Sequence, residues 1–252
     1  MLKMIAYPAV MLMVLLLMGH TNPAPAAKML TIGPLPLKSY TYSLHAVSAP
    51  ASSKAARFYA QWQLGNAGLS ATAFELAMRG FDHLIQTRQV TNPKILSVID
   101  FSQPSTRQRL YIIDMENGKI LFNTWVAHGS NSGALYAEKF SNLPESHQSS
   151  LGFFTTANTY FGNHGYSLRL KGCEAGINDK AFERAIVIHG ADYVSSRCIQ
   201  NMGFLGRSFG CPAVPNQLSK SIIDIIKNGS CLFIYHPTPE YYNESKIINS
   251  QV

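Results

Sequence analysis

Short apolar segments separated by turns dominate the chain after residue 93, and this pattern constrains the fold more than any other feature. Residues 95–101 and 109–115 are rich in Ile, Leu, Val and Tyr, which favour extended backbone. Asn117-Gly118 then predicts a hairpin turn, because both residues tolerate positive φ. Residues 119–126 are therefore the predicted partner strand.

Further strands are predicted along the same part of the chain, with one helix among them. The predicted strands are 151–156, 166–170, 185–189 and 231–235, and the predicted helix is 216–227. Many strands, few helices and frequent glycine-containing turns indicate a mainly β fold. We assign this domain to residues 93–237.

A helical segment is predicted at residues 54–92, before the β domain. Apolar side chains recur there at helical spacing. Thr72 and Glu75 fit a capping box, in which the two side chains satisfy free backbone amides at the start of a helix. Gly80 weakens this helix by about 1 kcal/mol. Pro93 ends the segment, because the residue before a proline disfavours helical backbone.

The first 26 residues are predicted to be a signal peptide. Lys3 supplies a short positive start, and the apolar run 9–18 has the length of a signal-peptide core. Ala24-Pro25-Ala26 offers small residues for cleavage, which places the start of the mature chain near Ala27. A retained N-terminal anchor is the alternative, although a spanning helix needs roughly twenty apolar residues. We therefore expect an exported protein of the periplasm or cell envelope.

Two further segments complete the predicted organisation. Residues 27–53 are rich in Pro, Ser and Ala, which is typical of a linker or an extended arm. Pro237 and Pro239 open residues 238–252, which we interpret as a polar tail.

Charge narrows the choice of partners. The chain carries 21 Lys and Arg against 14 Asp and Glu, for a formal net charge of +7. The basic residues are scattered and match no nucleic-acid-binding motif, so we expect no nucleic-acid partner. A mildly basic exported protein suits an anionic cell envelope, and a basic surface without a specific partner is the alternative. No stable membrane span is expected once the signal peptide is cleaved.

Four cysteines bear on disulfides and metals. They are Cys173, Cys198, Cys211 and Cys231. An even count in an exported chain is typical of disulfide pairing, but two bridges would consume Cys211, which we expect to be free. Pairing among the other three stays open. The sequence contains neither a Cys-x-x-Cys motif nor a His-x-x-x-His pair, so we expect no metal site.

His189 and Cys211 are the residues that best indicate a chemical function. His189 ends an apolar run, and Cys211 lies in a Gly-Arg-Ser-x-Gly-Cys turn. A thiolate needs a nearby imidazole to form at neutral pH, so the pair predicts a cysteine nucleophile for acyl transfer. The carbonyl of Gly190 is a candidate to orient the ring, with Asp192 as an alternative. A buried structural thiol and a satisfied core histidine are the competing interpretations.

Four neighbouring residues are weaker candidates for oxyanion or substrate contacts. The fork of Arg207 matches a carboxylate, so it is predicted either to bind substrate or to form a structural ion pair. The backbone amides of Gly210 and Cys211 are candidates for an oxyanion hole. Ser208 is a lesser candidate, because turn formation also explains it. His128 follows a predicted strand and is assigned to the same cleft, with a turn histidine as the alternative.

Together these residues resemble the L,D-transpeptidase catalytic-domain family (YkuD-like), in the branch whose motif ends in Gly-Arg-Ser-x-Gly-Cys-Pro-Ala. The resemblance runs from about Ala71 to Tyr235. It includes residues 99–102, 126–129, 131–133, 149–152 and 188–190, in addition to the cysteine motif. It implies a mainly β fold and an exported enzyme that remodels bacterial peptidoglycan without a metal or other cofactor.

The resemblance also implies roles for single residues. Cys211 would be the nucleophile, His189 the base and the Gly190 carbonyl the group that orients it. The thiolate would attack the carbonyl before the terminal D-alanine of a peptidoglycan stem tetrapeptide, which releases D-alanine and leaves a thioester. An amine of a neighbouring stem would then resolve the thioester into a cross-link. With water as acceptor, the same site would be an L,D-carboxypeptidase.

The motif departs from better-known members of the family at two positions. Those members often have His before the Gly-Cys pair and Arg or Asn two residues after the cysteine, where this chain has Phe209 and Ala213. These departures motivate the alternative of a catalytically inactive peptidoglycan-binding protein. An ordinary cysteine peptidase that cleaves L,L bonds is a third hypothesis. The oligomeric state is not predicted.

Overall fold

The computed structural model describes residues 53–250, so the predicted signal peptide and nearly all of the predicted arm lie outside the described residues. The elements in chain order are α1 (Lys54–Gln61), a 3-10 helix (Leu64–Ala67), α2 (Ala71–Gln86), β1 (Ile95–Asp100), β2 (Leu110–Asp114), β3 (Lys119–Thr124), β4 (Gly152–Gly162), β5 (Gly165–Gly172), β6 (Val187–Ala191), α3 (Ser196–Met202), β7 (Ala213–Pro215), α4 (Asn216–Ile226), β8 (Cys231–Tyr235) and α5 (Pro239–Glu244).

All eight strands form one sheet, in the order β3-β2-β1-β8-β4-β5-β6-β7. The pairs β1–β8 and β6–β7 are parallel, and every other neighbouring pair is antiparallel. Strands β1 and β8 are buried along their whole length, and β1 buries Ser97 and Asp100 together with its apolar residues. The prediction of a mainly β fold preceded by a helical segment is confirmed.

The hairpin between β2 and β3 lies where Asn117-Gly118 predicts it, but its turn has a different conformation. Only Gly118 has a positive φ, of 65°. The carboxylate of Asp114 accepts hydrogen bonds from the N–H groups of Glu116 and Asn117, at 2.9 and 3.0 Å. This side chain therefore fixes the turn and leaves Asn117 outside the left-handed region.

Helix α2 begins two residues earlier than the predicted capping box. The N-cap is Ser70, whose hydroxyl accepts a hydrogen bond from the N–H of Ala73 at 3.3 Å. The prediction of Thr72 as the cap is wrong, because the hydroxyl of Ser70 bonds a free amide of the first turn and Thr72 lies inside the helix. The apolar side of α2 packs on the sheet, where Gly80 lies directly against the ring of Phe153.

The C-terminal segment contributes to the core. Helix α5 follows Pro237, and Tyr241, Ile247 and Ile248 are each no more than 5 % exposed. The hydroxyl of Tyr241 donates a hydrogen bond to the buried carboxylate of Glu174 at 3.2 Å. The interpretation of residues 238–252 as a polar tail is therefore wrong for this stretch. The other domain boundaries stay predictions.

Strand β7, next to the cysteine motif, is an element that the sequence did not predict. It has only three residues and pairs in parallel with β6, with Ala213 opposite His189. The predicted helix α4 starts directly after β7 and packs on β6. Gly190 permits this approach, since a Cβ there would collide with the side chain of Asn216 and lie 2.8 Å from that of Ser219. No helix between residues 53 and 250 is long and apolar enough to cross a membrane.

Candidate active site

His189 lies on β6, held between β5 and β7. It is opposite Ser167 on one side and Ala213 on the other, and its side chain is buried. Its Nδ1 is 2.9 Å from the carbonyl oxygen of Gly190. A carbonyl can only accept, so this contact assigns the ring proton to Nδ1 and leaves Nε2 as a free acceptor. The tautomer is the one that a general base requires.

The environment of His189 favours the neutral ring. Burial lowers the pKa of His189, because desolvation penalises the imidazolium form. The Gly190 carbonyl opposes this shift, and His164 adds to it as a second potential cation. The rings of His164 and His189 stack, with centroids 4.2 Å apart and planes at 22°.

Cys211 lies two residues before β7, beside the start of β6. Because Ala213 is opposite His189, Cys211 is level with Val187, two residues or about 6.5 Å before the histidine. Its Sγ accepts a hydrogen bond from the Val187 N–H at 3.5 Å and lies 3.7 Å from the Ala185 carbonyl oxygen. Within residues 53–250 no hydrogen bond joins Sγ to His189. The two predicted residues thus lie on neighbouring strands, with the thiol turned toward the β6 backbone.

Burial raises the pKa of the Cys211 thiol above its ordinary value, while the Val187 N–H and the positive charge of Arg184 oppose the rise. The resting side chain is therefore a thiol at neutral pH. A base must remove its proton before it can attack.

The turn before Cys211 is held by Ser208. Its hydroxyl donates to the Cys211 carbonyl oxygen at 2.6 Å and accepts from the Gly210 N–H at 3.1 Å. Gly210 has φ +122°, a conformation that favours glycine. The Gly210 amide, a predicted candidate for an oxyanion hole, is therefore bonded to Ser208 in this arrangement. The Cys211 N–H makes no hydrogen bond among the described residues.

Arg184 is a residue of this site that the sequence did not reveal. Its guanidinium donates to the carbonyl oxygens of Ser141 and Gln148, at 2.7 and 2.8 Å, and to the hydroxyls of Ser150 and Ser146, at 2.6 and 3.2 Å. A Cβ built on Gly210 would be 3.4 Å from its Nη2. Arg184 thus holds the 141–150 loop in place through four hydrogen bonds. It also brings a positive charge close to Cys211.

Arg207 is exposed and forms no ion pair with an acidic residue of the described chain. Its Nη1 donates to the Gly133 carbonyl oxygen at 3.1 Å, and its guanidinium lies 5.4 Å from the ring centroid of Phe204. The structural ion pair is thereby excluded within this part of the protein. Because the side chain is exposed, binding of a substrate carboxylate by Arg207 stays a prediction.

The backbone of His128 lies beside the cysteine turn, where its carbonyl oxygen accepts the N–H of Ser208 at 3.0 Å, but its ring is buried. Its Nδ1 is 2.7 Å from a guanidinium nitrogen of Arg109, and its Nε2 is 3.3 Å from the Gly133 carbonyl oxygen. Since Arg109 can only donate, His128 is neutral with its proton on Nε2. Burial, reinforced by Arg109, lowers the pKa of His128 to about 3. Its role is to satisfy a buried cation.

The other cysteines and the nearby aromatic residues complete the site. All four cysteines are free, so the question of pairing among Cys173, Cys198 and Cys231 is answered for these residues. Phe209 is 73 % exposed beside Cys211 and stacks on His147, with centroids 4.4 Å apart. Residues 53–250 contain no cluster of three His, Cys, Asp or Glu side chains able to hold a metal ion.

A cavity of about 550 Å³ is lined in part by Ser141, Asn142 and Gln148 of the 141–150 loop. Its walls include Gln148, Tyr241 and Glu244, but neither His189 nor Cys211. The lining of this cavity contains no imidazole and no thiol, so it offers neither of the groups that the sequence predicts to carry the chemistry.

Comparison with known proteins identifies the family. The sequence profile of the L,D-transpeptidase catalytic domain matches residues 65–235, more than half of the chain. The protein therefore belongs to the L,D-transpeptidase catalytic domain family, whose members act on cell-wall peptidoglycan, and it has the YkuD-like fold. No curated protein matches the sequence.

Several solved structures are similar at low identity. An L,D-transpeptidase from Mycobacterium smegmatis is 12 % identical, with a TM-score of 0.36, over 57 % of this chain and 59 % of that one. An L,D-transpeptidase from Enterococcus faecium is 12 % identical, with a TM-score of 0.36, over 56 % and 50 %. The helical cell shape determining protein Pgp2 from Campylobacter jejuni is 14 % identical, with a TM-score of 0.40, over 57 % and 47 %. The match spans between about half and three fifths of the length of these proteins.

Proposed function

We propose that the protein is an exported murein L,D-transpeptidase that uses Cys211 as its nucleophile. The observation that carries this proposal is the placement of His189, whose Nδ1 is tied to the Gly190 carbonyl and whose Nε2 is free, on the strand next to Cys211. Membership of the L,D-transpeptidase catalytic domain family supports peptidoglycan as the substrate.

In the first step, the Cys211 side chain rotates about its Cα–Cβ bond, away from Val187 and toward His189. His189 Nε2 takes the thiol proton, and the thiolate attacks the carbonyl before the terminal D-alanine of a stem tetrapeptide. The Cys211 N–H, which is not otherwise engaged among the described residues, is the candidate donor to the oxyanion. The C–N bond then breaks, the imidazolium returns its proton to the departing amine of D-alanine, and a thioester remains.

In the second step, an amine of a neighbouring stem attacks the thioester carbonyl. His189 accepts a proton from that amine, the C–S bond breaks, and Cys211 recovers its proton as the new amide forms. Arg207, which has free donors on the surface, is the candidate to bind a carboxylate of either stem.

The proposal is tested by intact-protein mass spectrometry after incubation with a disaccharide tetrapeptide. The expected adduct has the mass of the substrate minus that of D-alanine, and it should be absent in Cys211→Ala. A folded, reduced sample that forms no adduct and releases no D-alanine would instead favour a peptidoglycan-binding protein. Release of D-alanine without cross-linked product, in the presence of excess acceptor stem, would favour the carboxypeptidase.

A further inference from the structure

We propose that His164 is a positioning residue for His189: its ring covers one face of that imidazole and keeps it oriented and unprotonated for proton transfer. This inference rests on the proposed function, in which His189 is the base. It concerns a turn histidine outside the family motifs, at a point where the sequence indicates only a polar connection.

The fold brings His164 to His189 through the β4–β5 hairpin. Gly162 pairs with Gly165 at the end of the hairpin, so Asn163 and His164 form the turn between the two strands. Gly165 adopts φ +72°, which closes this turn. Further along β5, Ser167 is opposite His189. The hairpin turn therefore lies beyond the Ser167–His189 pair. From there His164 places its ring over the ring of His189.

The stacked geometry is specific. The ring centroids are 4.2 Å apart, and the planes differ by 22°. His164 is exposed, whereas His189 is only 1 % exposed. His164 thus covers His189 while its own outer face remains in water. Together with the bond from Nδ1 to the Gly190 carbonyl, this stack fixes both the plane of the ring and its rotation in that plane.

The pairing of two imidazoles also has an electrostatic consequence. A positive charge on His164 opposes protonation of His189 at this distance. The residues opposite His189 on the neighbouring strands are Ser167 of β5 and Ala213 of β7, and neither is titratable. Cys211 precedes β7 with its thiol turned toward Val187, and Lys220 and Asp224 of α4 contact Tyr166 instead. His164 is thus the partner through which a charge acts on this base.

Two substitutions separate electrostatic coupling from packing. His164→Phe keeps a flat ring over His189 but cannot carry charge, and His164→Ala removes both the ring and the charge. His83→Phe, on helix α2, is the matched control for replacing a histidine by phenylalanine. The full chain is labelled with ¹⁵N at its histidine rings, and the His189 signal is assigned by its loss in His189→Gln.

The titration midpoint of His189 is then measured by NMR in each variant. We expect it to move to higher pH in both His164→Phe and His164→Ala, and to remain unchanged in His83→Phe. A midpoint that moves only in His164→Ala would show that His164 acts on His189 through packing alone, and this would overturn the proposal. An unmoved midpoint in both variants would also overturn it, even if thioester formation is normal. The NMR result is independent of turnover, so a failure of the proposed function is seen separately, as the absence of the acyl adduct.

The pH dependence of D-alanine release provides the functional test. Because a more basic His189 is protonated at higher pH, His164→Phe should lose more of its rate than the wild type when the pH is lowered from about 8 to about 6. If the rate of D-alanine release falls equally with acid pH in the wild type and in His164→Phe, His164 has no role in proton transfer.

Discussion

The hydroxyl of Ser208 donates a hydrogen bond to the carbonyl oxygen of Cys211 at 2.6 Å. The hydroxyl oxygen of Ser208 in turn accepts the N–H of Gly210, so one buried side chain closes the turn that carries Cys211, the proposed nucleophile. Ser208 is neither the proposed nucleophile nor the proposed base, yet its two hydrogen bonds fix the backbone next to Cys211. The consequences of this arrangement are testable at the turn itself.

Ser208→Ala should destabilise the protein and slow acylation. The substitution leaves the buried Gly210 N–H without a partner, which costs about 1–3 kcal/mol of unfolding free energy. It also frees the backbone that aims Cys211, so the rate of thioester formation should fall more than substrate affinity. Urea unfolding and single-turnover adduct formation measure the two effects. Ser208→Thr retains the hydroxyl and should keep most of the rate; equal losses in both variants would argue against this role.

Arg184→Gln should slow alkylation of Cys211 at neutral pH. The guanidinium lowers the pKa of a thiol that burial has raised, so removal of its charge should move the thiol pKa further upward. Less thiolate is then present at pH 7, and the rate falls. The rate of iodoacetamide labelling at Cys211 is followed against pH by peptide mass spectrometry, which separates it from the other three cysteines.

Arg184→Lys is the matched control for the preceding substitution. It retains the positive charge but cannot reproduce the four hydrogen bonds to the 141–150 loop. If charge governs the thiol, Arg184→Lys should titrate close to the wild type even though its melting temperature falls. If the loop contacts alone matter, the lysine and glutamine variants should give the same labelling profile.

His128→Gln should flatten the dependence of stability on acid pH. The unfolded histidine takes up a proton below its ordinary pKa of 6.5, whereas burial beside Arg109 lowers the folded-state pKa to about 3. Between these values the unfolded state binds more protons, so the free energy of unfolding falls as the pH falls, by about 1.4 kcal/mol per pH unit from this residue. Glutamine can accept from Arg109 and donate to Gly133 without titrating.

Urea unfolding at several pH values from about 7 to about 4 measures this difference. The wild type should lose more stability than His128→Gln over that interval. The same substitution at the partly exposed His83 is the matched control for replacing a histidine by glutamine. Parallel slopes for the wild type and His128→Gln would show that the buried histidine does not govern acid stability.

Much of the fold could be predicted from local patterns, but the site could be predicted only in part. Strands β1, β2 and β8 and helix α4 have strong apolar patterns, and their predicted bounds agree with the structure to within about one residue. Strand β7 has three residues and contains a proline, so it carries no pattern of its own. It exists because it pairs with β6, which is a long-range relationship that local sequence does not encode.

The same distinction explains the site residues. The motif marks His189 and Cys211, but the importance of Arg184 and His164 depends on which turns meet across β5, β6 and β7. His128 shows the converse case. Its position after a predicted strand resembles that of His189, yet the structure buries it on Arg109. Burial and the identity of a partner decide whether a histidine is a base or a structural acceptor.

Gly80→Ala distinguishes local propensity from packing in a single substitution. Propensity alone predicts that alanine stabilises α2 by about 1 kcal/mol. In the structure, however, a Cβ at Gly80 would collide with the ring of Phe153, which itself stacks on Phe233 at a centroid distance of 4.2 Å. Overpacking of this kind typically costs about 1–3 kcal/mol, so the net effect should be destabilising.

Thermal unfolding of Gly80→Ala and of Gly80→Ala/Phe153→Leu measures the collision directly. We expect the single variant to melt below the wild type. The smaller leucine side chain should make Gly80→Ala less costly in the Phe153→Leu background than in the wild type. The matched control is Ala77→Gly, one turn earlier on the buried face of α2. It should destabilise the protein through lost helix propensity and packing. The cost of Ala77→Gly should change less in the Phe153→Leu background than the cost of Gly80→Ala does. A Gly80→Ala variant that melts above the wild type would show that α2 moves away from the sheet to accommodate the methyl group, and that propensity outweighs packing at this contact.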